Sequence, residues 1–189
     1  MKIVIGLLGE KRAGKGTFVK LLSEFAKPKT VGCIRSVDVL YETLKIWDLE
    51  PSRSNLQNLF QAMEPKYGKE VLTQAVYKKI MSDESDIVIF DGVRMPADRD
   101  MVRKFEKNFL VYVTASPELR WERGKIAKEK AGEDTVSFEQ FMEEEKAHTE
   151  EFIPKIGEEA DFKIANEGTL EDYEKEVKKF LDKIISPLF

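Results

Sequence analysis

Ile3-Val4-Ile5-Gly6-Leu7-Leu8-Gly9-Glu10-Lys11-Arg12-Ala13-Gly14-Lys15-Gly16-Thr17 is the stretch whose reading decides the fold. An apolar run of strand length ends at Gly9, and an amphipathic helical pattern (Phe18, Val19, Leu21, Leu22, Phe25) begins after Thr17. Between them stand a glycine, four residues, and Gly14-Lys15. Glycines allow backbone angles that turn several N–H groups toward one anion. The following helix adds the positive end of its dipole, and Lys15 can bridge the β- and γ-phosphates of a nucleotide. The competing reading is a glycine-rich turn with an incidental lysine. The stretch predicts a strand, a phosphate loop and a helix, with ATP contacts from Gly9, Lys11, Arg12, Ala13, Gly14, Lys15, Gly16 and Thr17.

Outward from this unit, four more apolar runs, residues 30–34, 87–90, 109–113 and 162–165, are rich in Val, Ile and Phe and lack clean alternation. Strands covered on both faces read this way. With residues 3–8 they make five strands separated by helical stretches, which predicts an α/β fold with a parallel sheet and right-handed crossovers. Helix starts are marked by Ser116-Pro117-Glu118, by capping boxes at Ser54 with Gln57 and Ser137 with Gln140, and by Thr169. The last precedes an apolar face of Leu170, Tyr173, Val177, Leu181 and Ile184, expected to pack on the sheet. Residues 36–82 and 120–158 exceed simple alternation. They are expected to form helical caps over the carboxyl ends of the strands, where open α/β sheets bind ligands. The chain is then one domain, 1–189, with a core of residues 1–35, 83–119 and 159–189.

The composition suits that organisation. Of 189 residues, 42% are hydrophobic and 35% charged, enough for a buried core under a well-solvated surface. A net charge of −4 argues against general nucleic-acid binding, which needs a basic face, yet leaves room for a local phosphate pocket. Cys33 is the single cysteine, so neither an intrachain disulfide nor a multi-cysteine zinc site is available, and a reducing, cytoplasmic setting is expected. The opening apolar run is too short for a signal peptide, and no run of about 18 apolar residues is present. A soluble monomer or homodimer is expected, with a small-molecule partner, no nucleic acid and no membrane.

Asp91 ends the apolar run 87–90, and Arg94 follows in Asp91-Gly92-Val93-Arg94. A carboxylate beside the phosphate loop can orient hydrated Mg²⁺ or the attacking group, and a planar guanidinium suits bidentate binding of phosphate. The alternative is a loop cap and a surface charge. Asp38 can accept hydrogen bonds from a base, a ribose or an arginine, or simply cap a helix; Arg35 beside it can serve an acceptor phosphate. Arg53, Asn55 and Gln57 open another helix, where amides can read base edges or merely form a polar helix start. Arg120, Arg123, Lys125, Lys128 and Lys130 crowd one short stretch. Closing over a transferring phosphoryl group, they would neutralise its charge; otherwise they are a solvated helix face. Residues 133–151 carry eight acids and one lysine and read as a solvated helix face; His148, the only histidine, lies there without a catalytic role.

The ending Gly14-Lys15-Gly16-Thr17 is similar to adenylate kinases and related nucleoside monophosphate kinases. Asp91-Gly92-Val93-Arg94 resembles their Asp-Gly-Phe-Pro-Arg element, one residue shorter. Arg94-Met95-Pro96 and Arg53-Ser54-Asn55-Leu56-Gln57 look more like deoxynucleoside monophosphate kinases and dephospho-coenzyme A kinase-like proteins. The resemblance covers most of the chain. It implies a three-layer αβα P-loop NTPase fold with sheet order 2-3-1-4-5, an acceptor-binding insertion at 36–82 and a lid at 120–158. It implies ATP and Mg²⁺ as cofactors and a nucleoside or deoxynucleoside monophosphate as acceptor. Dephospho-coenzyme A as acceptor and an acceptor-free regulatory ATPase are the alternatives. Lys15, Asp91, Arg94 and Arg123 would be catalytic. Arg120, Arg123, Asn166 and Gly168 would join the phosphate loop around ATP, and Arg35, Asp38, Arg53, Asn55, Gln57 and Arg94 would hold the acceptor. Gly16 has no hydroxyl to offer a metal, so Thr17 and Asp91 would hold Mg²⁺ through water.

Overall fold

All six residues of β1 (Ile3–Leu8) are buried, because the strand is the centre of a five-stranded parallel sheet. The computed structural model describes residues 2–68, 70–127, 137–145 and 151–188. In chain order they form β1, α1 (Lys15–Phe25), β2 (Val31–Ile34), α2 (Ser36–Ile46), α3 (Arg53–Tyr67), α4 (Val71–Ser82) and β3 (Ile87–Asp91). Then come α5 (Pro96–Val102), β4 (Asn108–Thr114), α6 (Pro117–Ala127), α7 (Phe138–Glu144), α8 (Phe152–Glu158), β5 (Phe162–Ala165) and α9 (Leu170–Phe180). A π-helical turn, Leu181–Ile185, extends α9. The sheet order is β2-β3-β1-β4-β5, the expected order. Register sets Leu7 opposite Asp91 on one side and Val111 on the other.

Successive strand side chains point to opposite faces, and both faces are dry. Ile3, Ile5 and Leu7 join Phe18 and Leu22 of α1 and Val177 and Phe180 of α9 in one cluster. Val4 and Leu8 join Val76 and Ile80 of α4, Val102 of α5 and Ile156 of α8 in the other. Fully burying each of these side chains contributes roughly 1.5–3 kcal/mol. This two-sided burial is why the strands read as continuous apolar runs. The stripe on α9 is split: Tyr173 and Val177 are buried, whereas Leu170 is 56% exposed.

The helix starts at Pro117, Phe138 and Leu170 fall where their caps place them. The start of α3 does not. Ser52, not Ser54, accepts the amide of Asn55, so the cap lies two residues earlier than the box of Ser54 with Gln57 suggests. No helix among the described residues is long and apolar enough to cross a membrane. Helices α2 to α4 pack on one another between β2 and β3 in the chain, and α6 packs on α7 between β4 and β5.

Candidate active site

The loop after β1 is braced from three sides. Gly14 has φ 109, a left-handed angle that glycine adopts at no steric cost, and a Cβ there would overlap Asn166 Nδ2. Asn166, 8% exposed, donates to Ala13 O at 2.9 Å, and Tyr173 Oη donates to Gly14 O at 3.0 Å. Burial pushes the Tyr173 phenol above its ordinary pKa, so it stays a donor. At the other end of the loop, a Cβ on Gly9 would run into Val113 O. Lys15 Nζ donates to Gly9 O at 2.7 Å and Glu10 O at 2.9 Å, folding the ammonium back over the loop. Glu10 accepts from Tyr112 Oη; burial first, and Glu10 second, push that phenol up to about 12.

Around this loop lies a cleft of about 480 Å³, within the usual size of small-ligand sites. Lys15, Thr17, Asp91, Arg123, Asn166 and Gly168 line it, with Lys11, Arg12, Gly14 and Gly16 of the loop. A Cβ on Gly16 would meet nothing within 4 Å, so the first turn of α1 is open to a ligand. The carboxyl of Asp91 sits at the end of β3, opposite Leu7 of β1, with Oδ1 buried and without a hydrogen-bond partner among the described residues. Burial raises its pKa above the usual carboxylate range, while Lys15, Arg35 and Arg94 pull it back down. Arg123 Nη2 donates to Asn166 O at 2.9 Å and Oδ1 at 3.2 Å, and its Nη1 is buried without a partner among the described residues. Asp91 and Arg123, of opposite charge and each with one buried atom lacking a partner among the described residues, thus line the same cleft.

On the acceptor side the residues divide. Arg35, Arg94 and Asp38 lie close enough to act on the charge of Asp91. Arg94 is exposed, and its backbone N–H is held at 3.1 Å by Asp98, a 7%-exposed carboxylate that also accepts from Met95 N and Thr73 Oγ1. Asp38 caps α2 through Arg35 N at 2.8 Å and pairs with the Arg35 guanidinium at 2.7 Å. It thus has both its helix-capping and its arginine-binding roles, satisfied within the helix start. Arg53, Asn55 and Gln57 do not line the cleft. Asn55 is tied to Ser52 Oγ and Glu50 O, and Arg53 and Gln57 are exposed.

Arg120 also points elsewhere. It is 4% exposed, and its donors go to Ala115 O at 2.9 Å, Lys11 O at 3.3 Å and Glu145 at 2.6 Å. A buried cation so committed joins α6 and the α7 end to the phosphate loop, and removing one partner of such a pair costs about 3–5 kcal/mol. Lys125 Nζ lies 3.2 Å from the centroid of the Trp121 ring. Lys128, Lys130 and His148 fall outside the described residues. The acidic stretch is not wholly a solvated face, because α7 buries Phe141 at 1% exposure. Among the described residues, no three His, Cys, Asp or Glu side chains cluster to hold a metal ion.

Several of these groups carry weak sequence signals. Asp98 is marked by Pro96 at the first helical position with an acid two residues on. Tyr173 shows only as one more apolar position, and nothing local marks Glu10 or Phe141.

No protein-family model matches the chain. Among solved structures it is similar to a shikimate kinase from Bacteroides thetaiotaomicron, with TM-score 0.62 and 14% identity over 95% of this chain and 97% of that one. TT1252 from Thermus thermophilus gives TM-score 0.62 and 19% identity over 97% and 98%. These likenesses show the fold alone, an α/β fold with the topology of P-loop kinases. In sequence it is 27% identical over 183 residues to a UPF0200 protein of Hyperthermus butylicus, covering 97% of this chain and 95% of that protein. It is 30% identical over 194 residues to UPF0200 protein TK1334 of Thermococcus kodakarensis, covering 98% of both. Both relatives carry the UPF0200 name, and neither is named as a nucleoside monophosphate kinase. The chain belongs to the UPF0200 family.

Proposed function

We propose that the protein moves the γ-phosphate of ATP to a nucleoside or deoxynucleoside monophosphate. The observation that carries this reading is the cleft in which Lys15, the buried Asp91 carboxyl and Arg123 meet around the braced glycine loop. The loop N–H groups and Lys15 would hold the β- and γ-phosphates. Arg123 would neutralise charge that develops on the transferred group. Asn166 and Gly168 would lie toward the adenosine. Mg²⁺ suits the residues present: with no carboxylate cluster among the described residues, it would be held by phosphate oxygens, with Thr17 and Oδ1 of Asp91 reached through water. When bound, the ion would neutralise charge shared by the β- and γ-phosphates.

Arg35 and Arg94, cations that act on Asp91 beside Lys15, favour an acceptor that brings its own phosphate. In this reading residues 36–82 form the acceptor-binding insertion and residues 120–158 the lid. The test is ADP release with ATP and Mg²⁺ against nucleoside monophosphates, deoxynucleoside monophosphates and dephospho-coenzyme A. Acceleration by a monophosphate is expected, with Lys15→Ala slowing turnover at least about a hundredfold. Acceleration by dephospho-coenzyme A alone would move the acceptor assignment. Slow release indifferent to every acceptor would replace the kinase with a regulatory ATPase.

A further inference from the structure

Arg12 occupies a backbone position that suits glycine. Its φ is 66, in the left-handed region. The side chain gives this residue a structural use that glycine lacks. Its guanidinium lies so close against Gly124 of α6 that a Cβ at 124 would overlap it. Its Cζ is 5.7 Å from the centroid of the Phe141 ring on α7. Arg120 Cζ is 5.5 Å from the same centroid, with Nη1 on Glu145. A buried aromatic ring that attracts two guanidinium groups, next to a carboxylate that offsets their mutual repulsion, joins loop, α6 and α7 at one point. Gly124 directly follows Arg123, the arginine whose Nη1 is buried in the cleft wall without a partner among the described residues.

We propose that Arg12 is a positioning residue. Through Gly124 and Phe141 it registers α6 and α7 on the phosphate loop and so sets the place of Arg123, instead of serving as a ligand of the phosphates. Gly124 is glycine because the guanidinium needs its flat backbone. The docking stands on contacts within the chain; only its kinetic consequence rests on the nucleotide reading above.

Arg12→Gly and Gly124→Ala separate the two roles. The first removes the guanidinium and relieves the backbone. The second leaves Arg12 in place but expels it from its seat, while adding a residue that favours helix. Hydrogen exchange of the nucleotide-free protein reads the docking without any reference to activity. Amides of α7 are expected to lose about tenfold in protection in both variants, with no further loss in the double variant, while β1 and α1 amides stay protected and certify the fold. Phe141→Leu should give the same α7 loss if either loop variant folds poorly. In ADP release, both variants should lower kcat about ten- to a hundredfold, the effect of a slightly misplaced catalytic group, with the KM for ATP within about twofold. Unchanged α7 protection in Arg12→Gly, or a raised KM for ATP in Arg12→Gly with Gly124→Ala silent, would overturn the proposal. Loss of α7 protection in a protein whose wild type binds no nucleotide would uphold the docking and sink the functional reading alone.

Discussion

Replacing Asp91 by Asn should make the protein more stable and less active, and the gain in stability should depend on pH. The side chain is nearly isosteric, so packing at the end of β3 is kept. What changes is a carboxyl group with an Oδ1 buried and unpartnered among the described residues, and a pKa that burial holds above its ordinary value, against the opposing pull of Lys15, Arg35 and Arg94. An acid with a raised folded pKa binds its proton more tightly in the folded state. Stability is therefore lost as pH rises from the ordinary carboxylate range through the folded pKa, and the full penalty stands above it. A buried polar group left unsatisfied costs about 1–3 kcal/mol and a charged one more, and the neutral amide recovers the difference, of the same order. Loss of attraction to the three cations returns part of this, which favours the lower half of the range. In a chain of this size each kcal/mol moves Tm by about 2–4 °C, so a rise of about 2–8 °C is expected at pH 8. The difference should shrink as pH falls toward 4 and vanish only below about pH 3, where the unfolded carboxyl too carries its proton. Thermal unfolding followed by circular dichroism from pH 4 to 8, without nucleotide or divalent ions, checks this. A lower Tm for Asp91→Asn throughout, or an offset that does not vary with pH, would refute the reasoning. At pH 8 the same variant should turn over at least about a hundredfold more slowly.

Arg94→Ala should raise the KM for the acceptor and lower kcat while leaving ATP affinity by calorimetry within about twofold, since its backbone is held by Asp98 and does not depend on the side chain. An unchanged acceptor KM and kcat would remove it from the site. Gly14→Ala should abolish measurable ATP binding, because a Cβ there meets Asn166 and the left-handed angle costs a further 1–2 kcal/mol or so; retained affinity would show that the loop can rearrange.

The sheet was legible because burial on both faces forces strands to be apolar throughout. Residues 3–8 needed nothing but that rule, whereas β5, at the sheet edge, buries only Ile164 and exposes Lys163; β3 runs one residue further than its apolar run, to Asp91, and β4 one further at each end, to Asn108 and Thr114. The glycine loop was legible as the turn between strand and helix because that shape is written in local backbone chemistry. Helix α3 was less so: Ser52 and Ser54 are equally good caps in isolation, and the chain's path out of α2 decides between them. Arg120 illustrates the larger gap. A basic cluster in sequence says nothing about which cation turns inward, and its partners, Lys11 O and Glu145, come from distant parts of the chain. Phe141 is hidden for the same reason, as one aromatic within a run of acids that reads as solvated.

The brace from Asn166 to Ala13 spans 153 residues of sequence, and that from Tyr173 to Gly14 spans 159. A ribosome makes the glycine loop well before its supports. At about 5–20 residues per second, roughly 8–30 s separate the two. During that interval the nascent chain holds the whole loop motif without the strand and helix that stiffen it. The loop should therefore reach its final stiffness only as β5 and α9 emerge, so that its shape reports on the folding of an element made more than a hundred residues later.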